Sequence, residues 1–356
     1  MPAVEIALWR PSFVQNRDWH EKPNEPIDQL DKALAQAKTP WTNSSAAVKV
    51  FLAPEYLFTG AQSGHFMTEH QYYGVLFGLK YLSTKYPDIL IIPGSIGWYK
   101  TTTPSTLCNN ADDGRTTRNP LSAQVQPQNV PVRDYPFFLT SMLGFNPNTQ
   151  NIQQIEAMVP AQCKAEVFMQ AEYNAQVIDR LRSFSQKYQQ NNNLAVYKLA
   201  LNTSPVLLGG GIIHSYNKRV ESTDTPTDIP IDYDSVFFCP GTNSPVFTTG
   251  GVTFGLEICV DHGYGTLRNH IVTAQINPVD IHLLASAWTD YFFYNVAGSF
   301  FAHASTNATY AGVFGKDLSR FGQETALEDS YGLTTVDSNH RVNFDAGSVS
   351  FYNVNV

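Results

Sequence analysis

Short apolar runs bounded by turn residues recur along the chain, at 4–9, 48–53, 89–92, 195–200, 206–208, 253–258 and 281–285. Most are apolar at nearly every position instead of at alternate ones, which is the pattern of strands covered on both faces. Helix-length segments lie between several of them, at 27–37, 69–85 and 267–275. Strand and helix therefore alternate, and the pattern predicts a layered α/β domain. Near the C-terminus, 331–342 and 349–354 read as two strands joined by Asp and Asn turns, which close a sheet and do not start a new domain.

This rhythm breaks between about 100 and 194. Residues 101–134 are rich in Thr, Asn, Asp, Gln and Pro and read as a long irregular loop. Residues 162–189 then place Val177, Leu181, Phe184 and Tyr188 at helical spacing, which predicts an amphipathic helix. Connections of that length are uncommon unless they form a lid, a partner surface or a disordered excursion. The segment is read as an insertion into one domain spanning 1–356, expected to border the functional pocket.

Composition narrows the class. With 356 residues, 43% hydrophobic and 15% charged, the chain can bury a large core without disulfide staples. Its 23 basic and 31 acidic residues leave a net charge of -8, which disfavours nucleic acid and anionic membrane surfaces as partners. The first apolar run contains Glu5 and lacks a basic flank and a small-residue cleavage site, so it reads as a strand and not a signal peptide. No window reaches the roughly 18 to 20 apolar residues of a membrane-spanning helix. Cys108, Cys163, Cys239 and Cys259 form no C-x-x-C pair, which points to reduced thiols in the cytoplasm and neither a zinc framework nor a disulfide scaffold. Three N-x-S/T sequons, at Asn43, Asn202 and Asn307, then read as chance matches.

Three residues follow buried runs, where open α/β sheets present ligands. Glu55 ends Phe-Leu-Ala-Pro-Glu (51–55), Lys218 follows Tyr-Asn (216–217), and Cys259 ends Gly-Leu-Glu-Ile-Cys (255–259). Singly, each has a plainer explanation: a salt-bridged terminus, a surface lysine, an inert core thiol. Jointly they supply what hydrolysis of an unactivated amide requires: a nucleophile, a proton carrier for the departing nitrogen, and positive charge where the oxyanion develops. Cys259 would attack, with its thiolate favoured by a nearby base and by Lys218. Glu55 would carry the proton, and Lys218 with the Val260 N–H would hold the oxyanion.

These motifs, in this order, resemble those of the nitrilase superfamily of carbon–nitrogen hydrolases, over roughly 4–98 and 195–345. The resemblance implies a four-layer α-β-β-α sandwich, a Glu-Lys-Cys triad, a homodimer and no cofactor or metal. It also implies a second carboxylate before Pro-Gly (240–241), which in this chain is the shorter Asp234. Cys-Val-Asp (259–261) lacks the Trp-Glu of nitrile-hydrolysing members, so a small-molecule amide-type substrate is expected. His-Ala-Ser-Thr-Asn (303–307) is loosely similar to a helix of the family.

Tyr56, Trp98, Trp288, Tyr291 and His262 are candidate pocket walls. Two alternatives stay open: an acyltransferase using the same thioester, and a catalytically silent member acting as a protein-binding module. A Cys259–His262 pair is disfavoured by adjacency in sequence. His65 with His70, and His262 with His270, match no metal-ligand spacing. Gly209 to Gly211 lack the Lys-Ser/Thr of a phosphate loop.

Overall fold

The computed structural model describes residues 2–12, 24–41, 44–58, 66–102, 197–220, 236–238, 241, 243–290, 292–307, 309–319, 321–322 and 333–356. The expected loop beyond Thr102, the helix expected at 162–189, and Asp234, Tyr291, Cys108, Cys163 and Cys239 lie outside these residues. The strands are β1 (Ala3–Pro11), β2 (Val48–Leu52), β3 (Met67–Thr68), β4 (Ile89–Ile92), β5 (Ile96–Thr102), β6 (Tyr197–Leu208), β7 (Gly211–Asn217), β8 (Val236–Phe238), β9 (Val246–Thr249), β10 (Val252–Ile258), β11 (Val279–Ser286), β12 (Gly298–Ser305), β13 (Gly312–Lys316), β14 (Leu333–Val336), β15 (His340–Phe344) and β16 (Gly347–Asn355). The helices are α1 (Asn24–Trp41), α2 (Glu69–Lys85), α3 (Val260–Gly263) and α4 (Thr266–Ala274).

Two compact units divide the chain, one of Met1–Trp98, Asn202–Asp228 and Asn243–Val356, the other of Tyr99–Leu201 and Ile229–Thr242. The second unit takes in the expected insertion and a further segment; its described part pairs β8 in parallel with residues 198–200.

The first unit holds two sheets. One runs β15-β16-β1-β2-β4-β6-β5-β3 with β7 on β6, the other β14-β13-β12-β11-β10-β9. Ile6, Leu8, Val50 and Leu52 of the first sheet meet Phe254, Leu256, Ile258, Leu283 and Ala302 of the second in one apolar layer. Helices α1 and α2 pack on the outer face of the first sheet, and α4 on that of the second. The result is the α-β-β-α layering that the resemblance implies. It also explains why the central strands are apolar throughout: β4 is buried at every position because a helix covers one face and the opposing sheet the other.

Three sequence expectations change. The runs at 195–200 and 206–208 belong to a single strand, β6, because Thr203, Ser204 and Pro205 between them pair with β7. The strand expected at 331–342 is two strands in different sheets: β14 pairs with β13 and β15 with β16. Residues 303–305 complete β12 and are not helical, since parallel pairing with β11 extends to Ser305.

Candidate active site

Backbone geometry at the strand ends brings the three candidate residues together. Past β2 the chain stays in register at Ala53, whose N–H donates to the Ile92 carbonyl at 2.9 Å, and then turns sharply. Gly94 makes that turn possible: it has φ 80, and a Cβ there would meet the Pro54 carbonyl oxygen at 1.8 Å. Glu55 follows, fully buried, and Tyr56 after it holds φ 59. Lys218 leaves β7 with its N–H on the Asn202 carbonyl at 2.8 Å. Cys259 leaves β10 with its N–H on the Ala285 carbonyl at 2.9 Å and has φ 48 and ψ -112. Two of the three positive-φ non-glycine residues among those described thus sit at this site. Strain of this kind persists only where the surroundings hold the residue, and it concentrates at functional sites.

Lys218 Nζ lies 2.8 Å from Glu55 Oε1, with side-chain exposures of 1% and 0%. Asn202 Nδ2 donates to the same oxygen at 2.9 Å. Glu55 Oε2 is buried without a hydrogen-bond partner, and the carboxylate is near enough to Cys259 for its charge to raise the thiol. Thr289 Oγ1 lies 2.7 Å from Cys259 Sγ, and the Tyr56 ring centre is 5.7 Å from Lys218 Nζ. Burial opposes the charge on Lys218, but Glu55, then Tyr56 and Cys259, hold its pKa well above the usual lysine value.

Opposing influences act on the thiol. Burial, and then the charge of Glu55, push Cys259 up to about 12, against which Lys218 pulls it down. Desolvation and the neighbouring carboxylate thus favour the protonated thiol, and Lys218 favours the thiolate that the sequence reading expects.

Asp261 carries a role that sequence reasoning missed. Its buried carboxylate accepts from Tyr216 Oη at 2.6 Å and from the N–H of Val220 at 2.8 Å. The Arg219 N–H reaches both its oxygens at 3.1 Å. One side chain two residues past the sulfur therefore clamps both flanks of Lys218. Burial raises Asp261 to about 7, while Tyr216, Lys218 and the two amides oppose the shift. Replacing it by asparagine, which cannot accept at its NH2 end, is expected to cost about 1–3 kcal/mol in denaturant unfolding. If amide hydrolysis takes place here as the sequence reading expects, the change should lower kcat more than it raises KM, because Lys218 loses its anchorage. Equal effects on kcat and KM would argue against this positioning role.

His262 does not line the site. Its ring is fully buried, with Nδ1 2.9 Å from Glu257 Oε2 and Nε2 accepting the Phe292 N–H at 3.1 Å. His282 Nε2 lies 2.8 Å from the same Glu257 oxygen, and its Nδ1 accepts the Ala297 N–H at 3.3 Å. With a backbone donor on the other nitrogen of each ring, His262 Nδ1 bonds Glu257 and His282 Nε2 lies beside the same oxygen, while Glu257 also accepts the Leu267 N–H at 2.6 Å. Burial raises Glu257, but His282 and His262 outweigh it and hold the carboxyl at about 2. Glu257, His262 and His282 have the residue types of a metal site. Their spacings are those of hydrogen bonds, and the network ties α3 and α4 to the sheet.

Of the other candidates, Trp98 is buried, donating to Thr203 Oγ1 at 2.8 Å and stacked on Tyr72. Trp288 is 52% exposed beside Thr289. The Val260 N–H opens α3, where no intrahelical acceptor exists.

No protein-family model and no curated protein matches the sequence. Among solved structures, the chain is similar to an amidase of the nitrilase superfamily from Nesterenkonia AN1, at 11% identity and TM-score 0.44 over 99% of this chain and 90% of that one. It is similar to Nit3 of Saccharomyces cerevisiae, a member of branch 10 of that superfamily, at 10% identity, TM-score 0.44 and the same coverage. A third similar structure is the glutamine-dependent NAD+ synthetase of Acinetobacter baumannii, at 11% identity and TM-score 0.39, over 81% of this chain and 33% of that one. No helix among the described residues is long and apolar enough to cross a membrane.

Proposed function

We propose that the chain is a cysteine-dependent carbon–nitrogen hydrolase of the nitrilase superfamily, acting on a small amide-type molecule through a thioester at Cys259. The observation that carries the reading is a single buried carboxylate, Glu55, paired to Lys218 at 2.8 Å, with its other oxygen unpartnered and its charge felt at the Cys259 thiol.

A thiol that rests protonated needs a base at the moment of attack. Glu55 takes the proton as sulfur adds to the carbonyl carbon, and the oxygen gains charge facing Lys218 Nζ and the Val260 N–H. Collapse of the tetrahedral adduct breaks the carbon–nitrogen bond, and the departing nitrogen takes the proton from Glu55. Water, deprotonated by Glu55, then adds to the thioester and releases the acid, and the proton returns to sulfur. Asn202 and Thr289 hold the carboxylate and sulfur, Tyr56 and Trp288 border the substrate, and Asp234 is the candidate second carboxylate. An amide is preferred to a nitrile on the Cys-Val-Asp sequence. The same reading carries a homodimer and a cytoplasmic setting, in which a reduced thiol persists.

Intact-mass measurement under acid quench, after incubation with amides, carbamoyl compounds and nitriles, tests it. An acyl adduct is expected that disappears in Cys259→Ala. No adduct with any of these compounds would sink the thioester. Added amines separate hydrolysis from acyl transfer, since an amide product with the new amine would make the enzyme a transferase.

A further inference from the structure

A polar concavity opens where β1 and β12 end. It is a cavity of about 290 Å³ lined in part by Arg10, Thr306, Arg341, Asn343, Gly347 and Ser348. Its chemistry follows from strand alternation. On β1, Val4, Ile6 and Leu8 face the opposing sheet, so Arg10 is next on that face. On β12, Ala302 and Ala304 face inward, and Thr306 follows them in the same alternation. Arg10 stands opposite Ser348, and Ser348 opposite Asn343, across three neighbouring strands. The inward rows thus pass from hydrocarbon to guanidinium, hydroxyl and amide.

The cavity is cationic and built. Arg341 Nη2 donates to the buried Ser348 Oγ at 3.0 Å, which holds one guanidinium in place. Among the described residues neither arginine is in an ion pair and no carboxylate lines the cavity. Asp345, two residues before Gly347, is engaged by Lys32 at 2.8 Å. Gly347 has φ 127, and a Cβ there would meet the Arg10 carbonyl oxygen at 2.1 Å. Only glycine therefore lets the start of β16 close against the end of β1.

Its position relates it to Cys259. Strands β10, β11 and β12 are parallel neighbours, so at about 4.8 Å per strand the end of β12 lies about 10 Å from the end of β10. Thr306 Oγ1 donates to the Ala287 carbonyl, and Thr289, two residues on, touches Cys259 Sγ at 2.7 Å. On the other sheet Leu8 pairs with Leu52, which sets Arg10 level with Pro54, one strand from Glu55.

We infer that this cavity receives an anionic end group, a carboxylate or phosphate, of the substrate whose scissile amide lies at Cys259. The inference rests on the hydrolase reading and adds the substrate class: an extended amide bearing negative charge about 10 Å from the carbon attacked, two strand spacings along the sheet. Two guanidiniums match such oxyanions in charge and in the geometry of their paired N–H groups.

Monoamides of dicarboxylic acids of increasing chain length, compared with their methyl esters, test it through kcat/KM. The wild type should favour the free carboxylate, most at an intermediate length, by about tenfold, the low end for a charge-assisted contact because both arginines are exposed. The preference should collapse in Arg10→Gln and in Arg341→Gln, chiefly through KM. It should reverse in Asn343→Asp, which sets a carboxylate in the cavity; matching thermal unfolding midpoints check the fold of each variant. Equal rates for acid and ester, or a preference indifferent to these substitutions, would overturn the inference. Inorganic phosphate competing at the arginines without any preference for the acid would assign the cavity to a free anion and overturn it also. If no amide is turned over, the hydrolase reading fails by itself. Calorimetry of the monoamides on Cys259→Ala then decides the cavity: binding that needs both arginines upholds it, and none refutes it.

Discussion

Glu55→Gln is expected to move turnover and thiol reactivity in opposite directions. Acylation should slow by about 10²- to 10⁴-fold, the usual worth of a positioned general base. Alkylation of Cys259 by iodoacetamide, by contrast, should become faster. The sign follows from the charges around the sulfur: burial first and then Glu55 raise the thiol to about 12, while Lys218 lowers it. Removing the carboxylate removes one raising influence, so more thiolate is present at a given pH. In the wild type alkylation should be slow at neutral pH and still rising at pH 10, as expected for a thiol that titrates at about 12. Slow labelling is therefore no sign of a catalytically silent protein. Alkylation that slows in Glu55→Gln would mean that Glu55 activates the resting thiol, and would contradict the charge arrangement described.

Lys218→Ala should be the most damaging single change to stability at the site. Glu55 would be left as a buried carboxylate without its counter-charge, and breaking such a pair costs about 3–5 kcal/mol, readable from denaturant unfolding. Removing both charges in Lys218→Met with Glu55→Gln should restore most of the stability. Activity should not return: the loss of an oxyanion donor alone is worth about 10²- to 10³-fold in kcat. A double variant as unstable as Lys218→Ala would show that packing of the lysine stem, and not charge, accounts for the loss.

Much of this architecture was written locally. The apolar runs at 89–92 and 253–258 became β4 and β10 with little change at their ends. The helix expected at 69–85 is α2 residue for residue. Strands covered on both faces carry so strong an apolar signal that neighbours along the chain suffice to find them. The signal failed where a strand is polar for a tertiary reason. Asn202, Thr203 and Ser204 interrupt the apolar pattern of β6, yet all are buried; Asn202 bonds Glu55, and Thr203 bonds Asn217 at 2.6 Å. Hydropathy reads those residues as a turn, whereas the fold uses them to hold the site.

Order, residue type and position at strand ends singled out Glu55, Lys218 and Cys259 from the sequence, because an acid, an ammonium and a thiol after buried strands have few other joint uses. What surrounds them was decided by three-dimensional packing. Asp261 gave no signal of its own, since a clamp on residues 216–220 exists only once α3 lies against β7. His262 shows the converse, a residue beside the nucleophile in sequence that the turn of α3 directs to Glu257, away from the sulfur. The protonation of Cys259 is likewise a property of burial and neighbouring charge. The sequence alone determined which groups and strands take part, since periodicity and residue chemistry are local; the tertiary structure decided which charge faces which, since electrostatics and desolvation depend on distances between segments remote in the chain.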